Sequence, residues 1–252
     1  MQLSVIVPVL NEETTLPAFL ETAAQWDCVS EIIFVDGGSS DSTHNLLQGY
    51  NVCEGTRGRG AQCRLGAQRA RGEGLVFVHV DSVVPRESMR AIRDALNAGV
   101  LWGCLTLQFD DTSLKMRIGA LGSNARVRFT GIPFGDQVMF MARTVYESVG
   151  GMPDLPIMED YELSRRLRAL SWPKQLPQHV CTSARRFTKG GTLKTLLQMR
   201  RLRHLYRKGV DASRLSQMYC ATQSFEPKYH ADTTEALSMH FSNEQDQGND
   251  EH

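Results

Sequence analysis

Three short apolar runs constrain the fold of this chain more than any other feature. They are Leu3–Val9 (LSVIVPV), Glu31–Val35 (EIIFV) and Leu75–Val80 (LVFVHV), and helical patterns separate them. Strands that are buried on both faces of a parallel sheet have continuous apolar sequences rather than alternating ones. The pattern therefore predicts an α/β fold with a mostly parallel central sheet that helices flank.

Helical periodicity, capping residues and glycines predict the remaining elements. We expect helices over Glu12–Trp26, Ser42–Gln48, Gly58–Arg71, Arg86–Ala98, Lys115–Arg128, Glu159–Leu170 and Thr192–Lys208, and further strands over Tyr50–Cys53, Leu101–Phe109 and Val138–Ala142. Asn11 is the expected N-cap of the first helix. The alternation within Leu101–Phe109 indicates a strand that is antiparallel or half exposed.

The charge of the chain is unevenly distributed. There are 28 basic and 28 acidic residues, but seven acids and one base lie after position 222, so the first 222 residues carry a net charge of +6. We expect residues 1–222 to form one domain and the polar, acidic residues 223–252 to be a disordered tail. The mildly basic domain suits anionic small molecules or an anionic surface, and its charge is too weak to indicate nucleic-acid binding.

The chain has no sequence signal for export or for membrane insertion. Its six cysteines form no CxxC pair, which favours reduced thiols. The first apolar run is short and is interrupted by Pro8, unlike a signal peptide. No segment approaches the roughly 18 apolar residues that a membrane span needs. We therefore expect a cytoplasmic protein.

Three carboxylates each follow an apolar run. They are Asp36 in VDGGSSDST, Asp81 in HVDS and Asp160 in MEDYEL. Because the carboxyl ends of parallel strands meet at one edge of a sheet, we expect these acids to converge in one cleft. Such a set of carboxylates suits a site that binds a nucleotide, holds a divalent metal and accepts a proton.

Each of these residues also has a purely structural interpretation. Asp36 precedes two glycines and suits a turn, Asp81 suits a cap before Pro85, and His79 suits packing within its strand. Glu159 and Asp160 begin a helix, where the helix dipole favours acids, although two acids in succession are less easily explained in this way.

Two basic segments are candidates for binding anions. Arg57, Arg59 and Arg64 lie around the start of the third predicted helix, although a solvated basic face is an equal alternative. Gly58 and Gly60 match the start of a GxGxxG dinucleotide motif, but Cys63 occupies the third position, so we reject that motif. The helix over 192–208 is basic and amphipathic, which suits an anionic membrane or an ordinary packed helix with a charged outer face.

Taken together, these segments resemble the family 2 glycosyltransferases, which have the GT-A fold. The resemblance covers roughly Leu3 to Ala221. It depends on VIVPVLNEE at Val5–Glu13, VDGGSSDST, GRGAQ at Gly58–Gln62, HVDS, the Gly150-Gly151 turn and EDYELSRRLR at Glu159–Arg168. The GIPFGDQ loop at Gly131–Gln137 is similar to that of a short, single-domain bacterial subgroup.

The resemblance implies a role for each candidate residue. Residues 1–100 would be a nucleotide-binding half and residues 101–222 an acceptor-binding half. Asp160 would be the catalytic base with Glu159 in support, and Asp81 would hold Mg²⁺ or Mn²⁺ on the donor diphosphate, with His79 in place of the first acid of the DxD motif. The nucleotide sugar would contact Pro8, Val9, Leu10, Asn11, Glu12, Asp36, Gly37, Arg59, Val80 and Asp81. The acceptor would contact Phe134, Asp136 and Gln137.

The implied activity is transfer of a sugar from a nucleotide-diphosphate sugar to an acceptor hydroxyl, with metal assistance and inversion of the anomeric configuration. The implied partners are a UDP- or GDP-linked donor and an unspecified glycan, lipid or small-molecule acceptor, with peripheral contact at the inner face of the membrane through 192–208. Two alternatives stay open, namely a nucleotidyltransferase and a non-catalytic sugar-nucleotide-binding protein. The first usually has a glycine-rich phosphate loop after the first strand, where this chain has LNEETT.

Overall fold

The computed structural model describes residues 1–183 and 192–222. Within these residues, eight strands form one mixed sheet. They are β1 (Leu3–Val9), β2 (Val29–Asp36), β3 (Asn51–Glu54), β4 (Gly74–Phe77), β5 (Ser82–Val83), β6 (Trp102–Phe109), β7 (Met139–Ala142) and β8 (Lys174–Thr182). The three apolar runs coincide with β1, β2 and β4, because their apolar side chains fill both faces of the sheet.

The order of the strands brings the predicted ligand-binding ends together. The sheet runs β3-β2-β1-β4-β7-β6-β8-β5. Its first four strands are mutually parallel, so their carboxyl ends share one edge. β7 is antiparallel to β4 and to β6, whereas β8 is parallel to β6. The predicted α/β fold with a mostly parallel sheet is confirmed.

Nine helices and one 3₁₀ turn are present in the part of the chain that the structure describes. The helices are α1 (Leu16–Ala23), α2 (Thr43–Leu46), α3 (Arg59–Arg69), α4 (Arg86–Asn97), α5 (Leu114–Thr130), α6 (Arg143–Ser148), α7 (Glu159–Leu170), α8 (Thr192–Arg207) and α9 (Ala212–Thr222), and the turn is Gly135–Gln137. α7 has the predicted bounds. None of the helices in residues 1–183 and 192–222 has the length and apolar character of a membrane span.

Some sequence predictions of elements were wrong. α1 begins at Leu16 rather than Glu12, and Asn11 does not cap it, because Asn11 is used in a loop contact described below. β8 and α9 were not predicted. β8 contains Pro177 and alternates irregularly between polar and apolar residues, which hides it in the sequence. β6 is antiparallel to β7 but parallel to β8, so the antiparallel prediction holds for one neighbour alone.

The sheet separates two large hydrophobic clusters. Alternate residues of β1 serve both, since Val5 and Val7 lie in one cluster and Ile6 lies in the other. A third, smaller cluster joins α8 and α9 to the start of α7, through Ile157, Met158, Leu202 and Leu215 as well as partly buried neighbours. The helix that follows residue 191 is therefore packed against the part of the chain that carries Glu159 and Asp160. The predicted acidic tail, 223–252, lies outside the described residues.

Candidate active site

The loops that follow β1 and β2 are joined by hydrogen bonds. The Asn11 backbone N–H donates to Ser39 Oγ at 3.0 Å, and the Ser40 N–H donates to Asn11 Oδ1 at 2.8 Å. The Glu12 N–H donates to Thr43 Oγ1 at 2.7 Å. The serines and threonine of VDGGSSDST therefore fix the first loop, a function that was not predicted from the sequence.

Asp36 lies at the end of β2 and is buried. Its Oδ1 accepts hydrogen bonds from the Ser39 N–H at 2.9 Å and from Ser39 Oγ at 2.7 Å. The neighbouring Gly37 N–H donates to the Val9 carbonyl at 3.0 Å, which ties the ends of β1 and β2. The Asp36 carboxylate is thus held in place at the sheet edge where ligands of open α/β sheets bind.

Gln62 on α3 is a positioning residue, and the sequence singled it out only as part of the GRGAQ motif. Its side chain is fully buried, and its amide Nε2 donates to the Val9 carbonyl at 2.9 Å and to the Val35 carbonyl at 2.7 Å. A Cβ on Gly37 would lie 3.1 Å from the Gln62 amide, so a larger residue there would press on this group. GRGAQ therefore serves to fasten α3 beneath the ends of β1 and β2.

Most of the other predicted nucleotide contacts are buried residues. Pro8, Val9, Leu10, Glu12 and Val80 are all buried, and Asn11 is exposed. Because the apolar side chains among them are buried, these residues would contact a ligand through their backbone atoms.

Arg59 connects the candidate nucleotide edge with the start of α7. Its guanidinium Nε donates to Glu159 Oε1, and its terminal nitrogen lies 3.9 Å from Asp160 Oδ2. The close approach depends on Gly60, because a Cβ there would lie 2.7 Å from the Pro153 carbonyl oxygen. Gly60 of the rejected dinucleotide motif thus has a packing function.

Asp160 is held by backbone N–H groups. Its Oδ2 accepts from the Gly135 N–H at 3.0 Å, and its Oδ1 accepts from the Tyr161 N–H at 2.7 Å. It also lies in the first turn of α7, where the helix dipole favours a carboxylate. Asp160 is therefore fixed in orientation while part of its side chain is open to solvent.

His79 lies on the other side of the same glycine. A Cβ on Gly135 would be 2.7 Å from His79 Nε2 and 3.6 Å from Asp160 Oδ2. His79 follows β4 and Asp160 begins α7, so the GIPFGDQ loop brings the two residues together although 80 positions separate them. Of the three acids, Asp160 makes this contact with His79, and Asp36 lies at the end of β2, which belongs to the same parallel set of strands as β4.

Burial raises the pKa of Glu159, and the nearby Asp160 raises it further, whereas Arg59 lowers it. Glu159 is almost completely enclosed. A buried carboxylate costs free energy unless it is paired, and Arg59 supplies that pairing. Glu159 therefore holds Arg59 in place and does not face solvent as a proton acceptor would.

Within residues 1–183 and 192–222, three residues other than glycine adopt positive φ angles, and all three adjoin this site. They are Asn11 (φ 52°), Val138 (φ 52°) and Met158 (φ 72°). A β-branched residue such as Val138 is especially unfavourable in this region of backbone conformation. Strained backbone of this kind tends to cluster at functional sites, where the surrounding structure maintains it.

The donor set near Asp81 suits one mode of metal binding. Asp81 is half-buried in the turn between β4 and β5. No group of three His, Cys, Asp or Glu residues within 1–183 and 192–222 is arranged to hold a metal ion. Mg²⁺ prefers oxygen ligands and often takes one or two carboxylates together with substrate phosphates and water. Asp81 fits that role, and the His79 ring is placed against Gly135.

Phe134, one of the predicted acceptor residues, lies in a basic and aromatic group. The Phe134 ring has the Arg126 guanidinium 3.7 Å from its centroid and the Arg203 guanidinium 5.0 Å from it. Burial lowers the pKa of Arg126, and the charge of Arg203 lowers it further, while Asp136 raises it. Arg126 and Arg203 are therefore two desolvated cations near one ring.

Gln137, another of the predicted acceptor residues, is enclosed by the protein. It is fully buried, its Oε1 accepts from an Arg126 terminal nitrogen at 2.9 Å, and its Nε2 donates to Asn124 Oδ1 at 3.3 Å. Gln137 therefore fixes the loop to α5 and has no surface for an acceptor. Asp136 is half-buried beside Arg126, so its charge offsets that of the guanidinium.

A cavity of about 890 Å³ opens between α7 and the segment that joins α8 to α9. Tyr161 and Tyr206 lie on its wall together with Arg165, Arg168 and Arg207. Arg165 is paired with Glu162, which also lines the cavity. The cavity is large enough for a small-molecule ligand and offers both aromatic surface and positive charge.

Comparisons with known proteins agree on one family. The sequence model described as "Glycosyl transferase family 2" matches residues 4–150. A dolichyl-phosphate beta-glucosyltransferase of Drosophila melanogaster is 37% identical over 101 residues, which is 32% of this chain and 31% of that protein. An undecaprenyl-phosphate 4-deoxy-4-formamido-L-arabinose transferase of Aeromonas hydrophila is 26% identical and covers 53% of this chain and 45% of that protein. The chain thus spans less than half the length of these relatives.

Solved structures share the fold at low sequence identity. The mannosyltransferase PcManGT from Pyrobaculum calidifontis, in complex with GDP-Man and Mn²⁺, has a TM-score of 0.62 at 18% identity, with 90% of this chain and 66% of that chain covered. Staphylococcus aureus TarS (1–349) in complex with UDP has a TM-score of 0.60 at 17% identity, with 73% and 60% covered. The architecture described above is therefore the one found in these transferases.

Proposed function

This chain belongs to the family 2 glycosyltransferases and has the GT-A fold, and on that premise we propose that it transfers a sugar from a nucleotide-diphosphate sugar to an acceptor hydroxyl. One observation carries the proposal. The Gly135 N–H fixes Asp160 next to His79, and His79 is two residues before Asp81 in the chain. This arrangement joins a proton acceptor to the sheet edge where a nucleotide would bind. Asp36 and the loop after β1, which hydrogen bonds join to the loop after β2, lie at the part of that edge where we propose that the nucleotide binds.

The chain's own residues account for the proposed chemistry. Asp160 accepts the proton of the acceptor hydroxyl as its oxygen attacks the anomeric carbon. A new bond forms between this oxygen and the carbon, the bond from the carbon to the diphosphate oxygen breaks, and the nucleoside diphosphate leaves. A single displacement of this kind inverts the anomeric configuration.

Asp81 is the residue that we propose for holding a divalent metal on the donor diphosphate. The metal, when bound, would neutralise charge on the leaving diphosphate. Two of the structural neighbours contain Mn²⁺ with a nucleotide or nucleotide sugar, which supports a divalent metal in this family. Arg59 supplies positive charge on the other side of Asp160.

For the acceptor we propose a molecule that carries a negative charge. Arg126 and Arg203 around Phe134, and the arginines of the adjacent cavity, favour an anionic group. The relatives are named for acceptors that contain a phosphate, namely dolichyl phosphate and undecaprenyl phosphate, which agrees with this charge.

The first experiment is a thermal-shift screen of UDP- and GDP-linked sugars with and without Mn²⁺. We expect one class of donor to raise Tm, and D81A to lose the metal-dependent part of the shift. The matched control is D94N, since Asp94 is an exposed acid on α4. A folded protein that no nucleotide sugar stabilises would contradict the proposal.

The second experiment separates binding from chemistry. D160N keeps the size of the side chain and removes its basicity, so we expect donor binding to persist while transfer, or slow hydrolysis of the donor, falls by roughly 10²- to 10⁴-fold. Equal loss of binding and turnover would contradict the assigned role of Asp160. Wild-type binding without any turnover would favour the non-catalytic alternative, and formation of a nucleotide bond would favour a nucleotidyltransferase.

A further inference from the structure

Helix α5 presents an apolar stripe to solvent. Leu114, Ile118, Leu121 and Phe129 are 61–77% exposed. Their spacing of four, three and eight residues places them on one face of the helix. Single exposed apolar residues are common on protein surfaces, but a continuous row along one helix usually marks a binding surface.

The opposite side of α5 is packed against the protein, so the stripe cannot turn inward. Met116 and Val127 are buried on that side. The Asn124 side chain accepts from the Leu107 N–H at 2.9 Å and donates to the Leu107 carbonyl at 3.0 Å, which fixes α5 along β6. The exposed row is therefore a consequence of the fold.

Positive charges border the stripe. Lys115 lies on one side of it, and Arg117 and Arg128 lie on the other; all three are exposed. There is no acidic residue between Asp111 and Asp136. An apolar stripe with flanking basic residues is typical of helices that lie in the interface of an anionic membrane.

We propose that α5 docks the protein onto an anionic lipid bilayer. Helix α8, which the sequence suggested for this role, is less suitable because Leu202 is buried and Met199, Leu205 and Tyr206 pack against the third hydrophobic cluster. Phe129 at the end of the stripe also lines the cavity between α7 and the segment that joins α8 to α9. Docking through α5 would therefore place the mouth of that cavity at the membrane surface.

Vesicle flotation tests this proposal without depending on transferase activity. The full chain is mixed with phosphatidylcholine vesicles that contain about 40 mol % phosphatidylglycerol, and with vesicles of phosphatidylcholine alone. We expect flotation with the anionic vesicles, and at least a tenfold lower partition coefficient for L114S/I118S/L121S. K115E/R117E/R128E should lose the preference for anionic vesicles and its dependence on salt.

The matched control is L46S/L101S/L170S, which removes exposed apolar side chains elsewhere. It should float like the wild type, and Tm should change little in all three variants because the side chains are exposed. Failure of the wild type to float, or equal loss in the control, would overturn the proposal. The proposal would also be overturned if the wild type had the mass of a dimer in solution and the L114S/I118S/L121S variant had the mass of a monomer, since the stripe would then bind a second copy. Flotation without turnover supports docking alone and leaves the proposed reaction to its own test.

Discussion

The Gly135 N–H donates to Asp160 Oδ2 at 3.0 Å, and the space where a Gly135 side chain would begin is filled by the His79 ring. Gly135 belongs to a loop after α5, Asp160 begins α7, and His79 follows β4. This glycine is therefore the point at which the two halves of the chain meet around the candidate base.

We expect G135A to reduce turnover more than tenfold. The added methyl would lie 2.7 Å from His79 Nε2, so the loop or the ring must move and the hydrogen bond to Asp160 must lengthen. Overpacking of this kind costs about 1–3 kcal/mol in the free energy of unfolding. Steady-state kinetics and urea denaturation measure the two effects.

The matched control for that substitution is G122A. Gly122 lies within α5 and has open space where its Cβ would be placed. Alanine there should stabilise the protein by about 0.5–1 kcal/mol and leave turnover unchanged. Wild-type turnover in G135A would show that the site tolerates movement of this loop.

We expect Q62L to lower the free energy of unfolding by about 1–3 kcal/mol, because the Val35 carbonyl would lose its Gln62 donor in a buried environment, while the Val9 carbonyl would keep the Gly37 N–H. Urea denaturation measures this change. Q68L is the control, since Gln68 is exposed on the same helix and should cost less than about 0.5 kcal/mol. Similar stabilities for the two variants would contradict the positioning role of Gln62.

We expect R59A to destabilise the protein by about 3 kcal/mol at pH 7, because it leaves Glu159 buried without its partner. Burial already raises the pKa of Glu159, and without Arg59 the pKa should rise further. A raised pKa in the folded state means that stability is lost as pH rises above the ordinary carboxyl value of about 4.3.

The deficit of R59A relative to the wild type should therefore shrink as pH falls from 7 toward 4.5, where Glu159 becomes protonated. Denaturation curves across this range measure it. R69A, at the exposed end of α3, is the control and should show no such dependence. A deficit that grows on acidification would contradict this account of the pair.

We expect Cys63 and Cys104 to resist alkylation in the native protein. Burial raises the pKa of each of these thiols to about 12, so neither is ionised or accessible at pH 8. Mass spectrometry after treatment with iodoacetamide should find both unmodified until urea unfolds the chain. If Cys63 in the native protein were modified as fast as an exposed thiol, α3 would have to separate readily from the core.

The sequence predicted well wherever local pattern and burial coincide. β1, β2 and β4 were found because strands buried on both faces are continuously apolar, and α7 was found with its bounds because its acids and periodicity agree. Asp36 was expected at the sheet edge by the rule that parallel strands end together, and it is the last residue of β2.

Other features had no local signal. β8 contains a proline and polar residues, and its partner β6 is 65 or more positions away. Gln62 and Gln137 resemble surface residues in composition, yet both are fully buried because they satisfy distant carbonyl, amide and guanidinium groups.

The sequence by itself determined the family, the parallel half of the sheet and the acids at its edge, because each depends on residues close together in the chain. Only the tertiary structure decided that His79 and Asp160 meet at Gly135, that Arg59 pairs with Glu159, and that the apolar face of α5 points outward. These features depend on which distant parts of the chain pack together. The spacing of residues within one segment does not show which other segment will bury it.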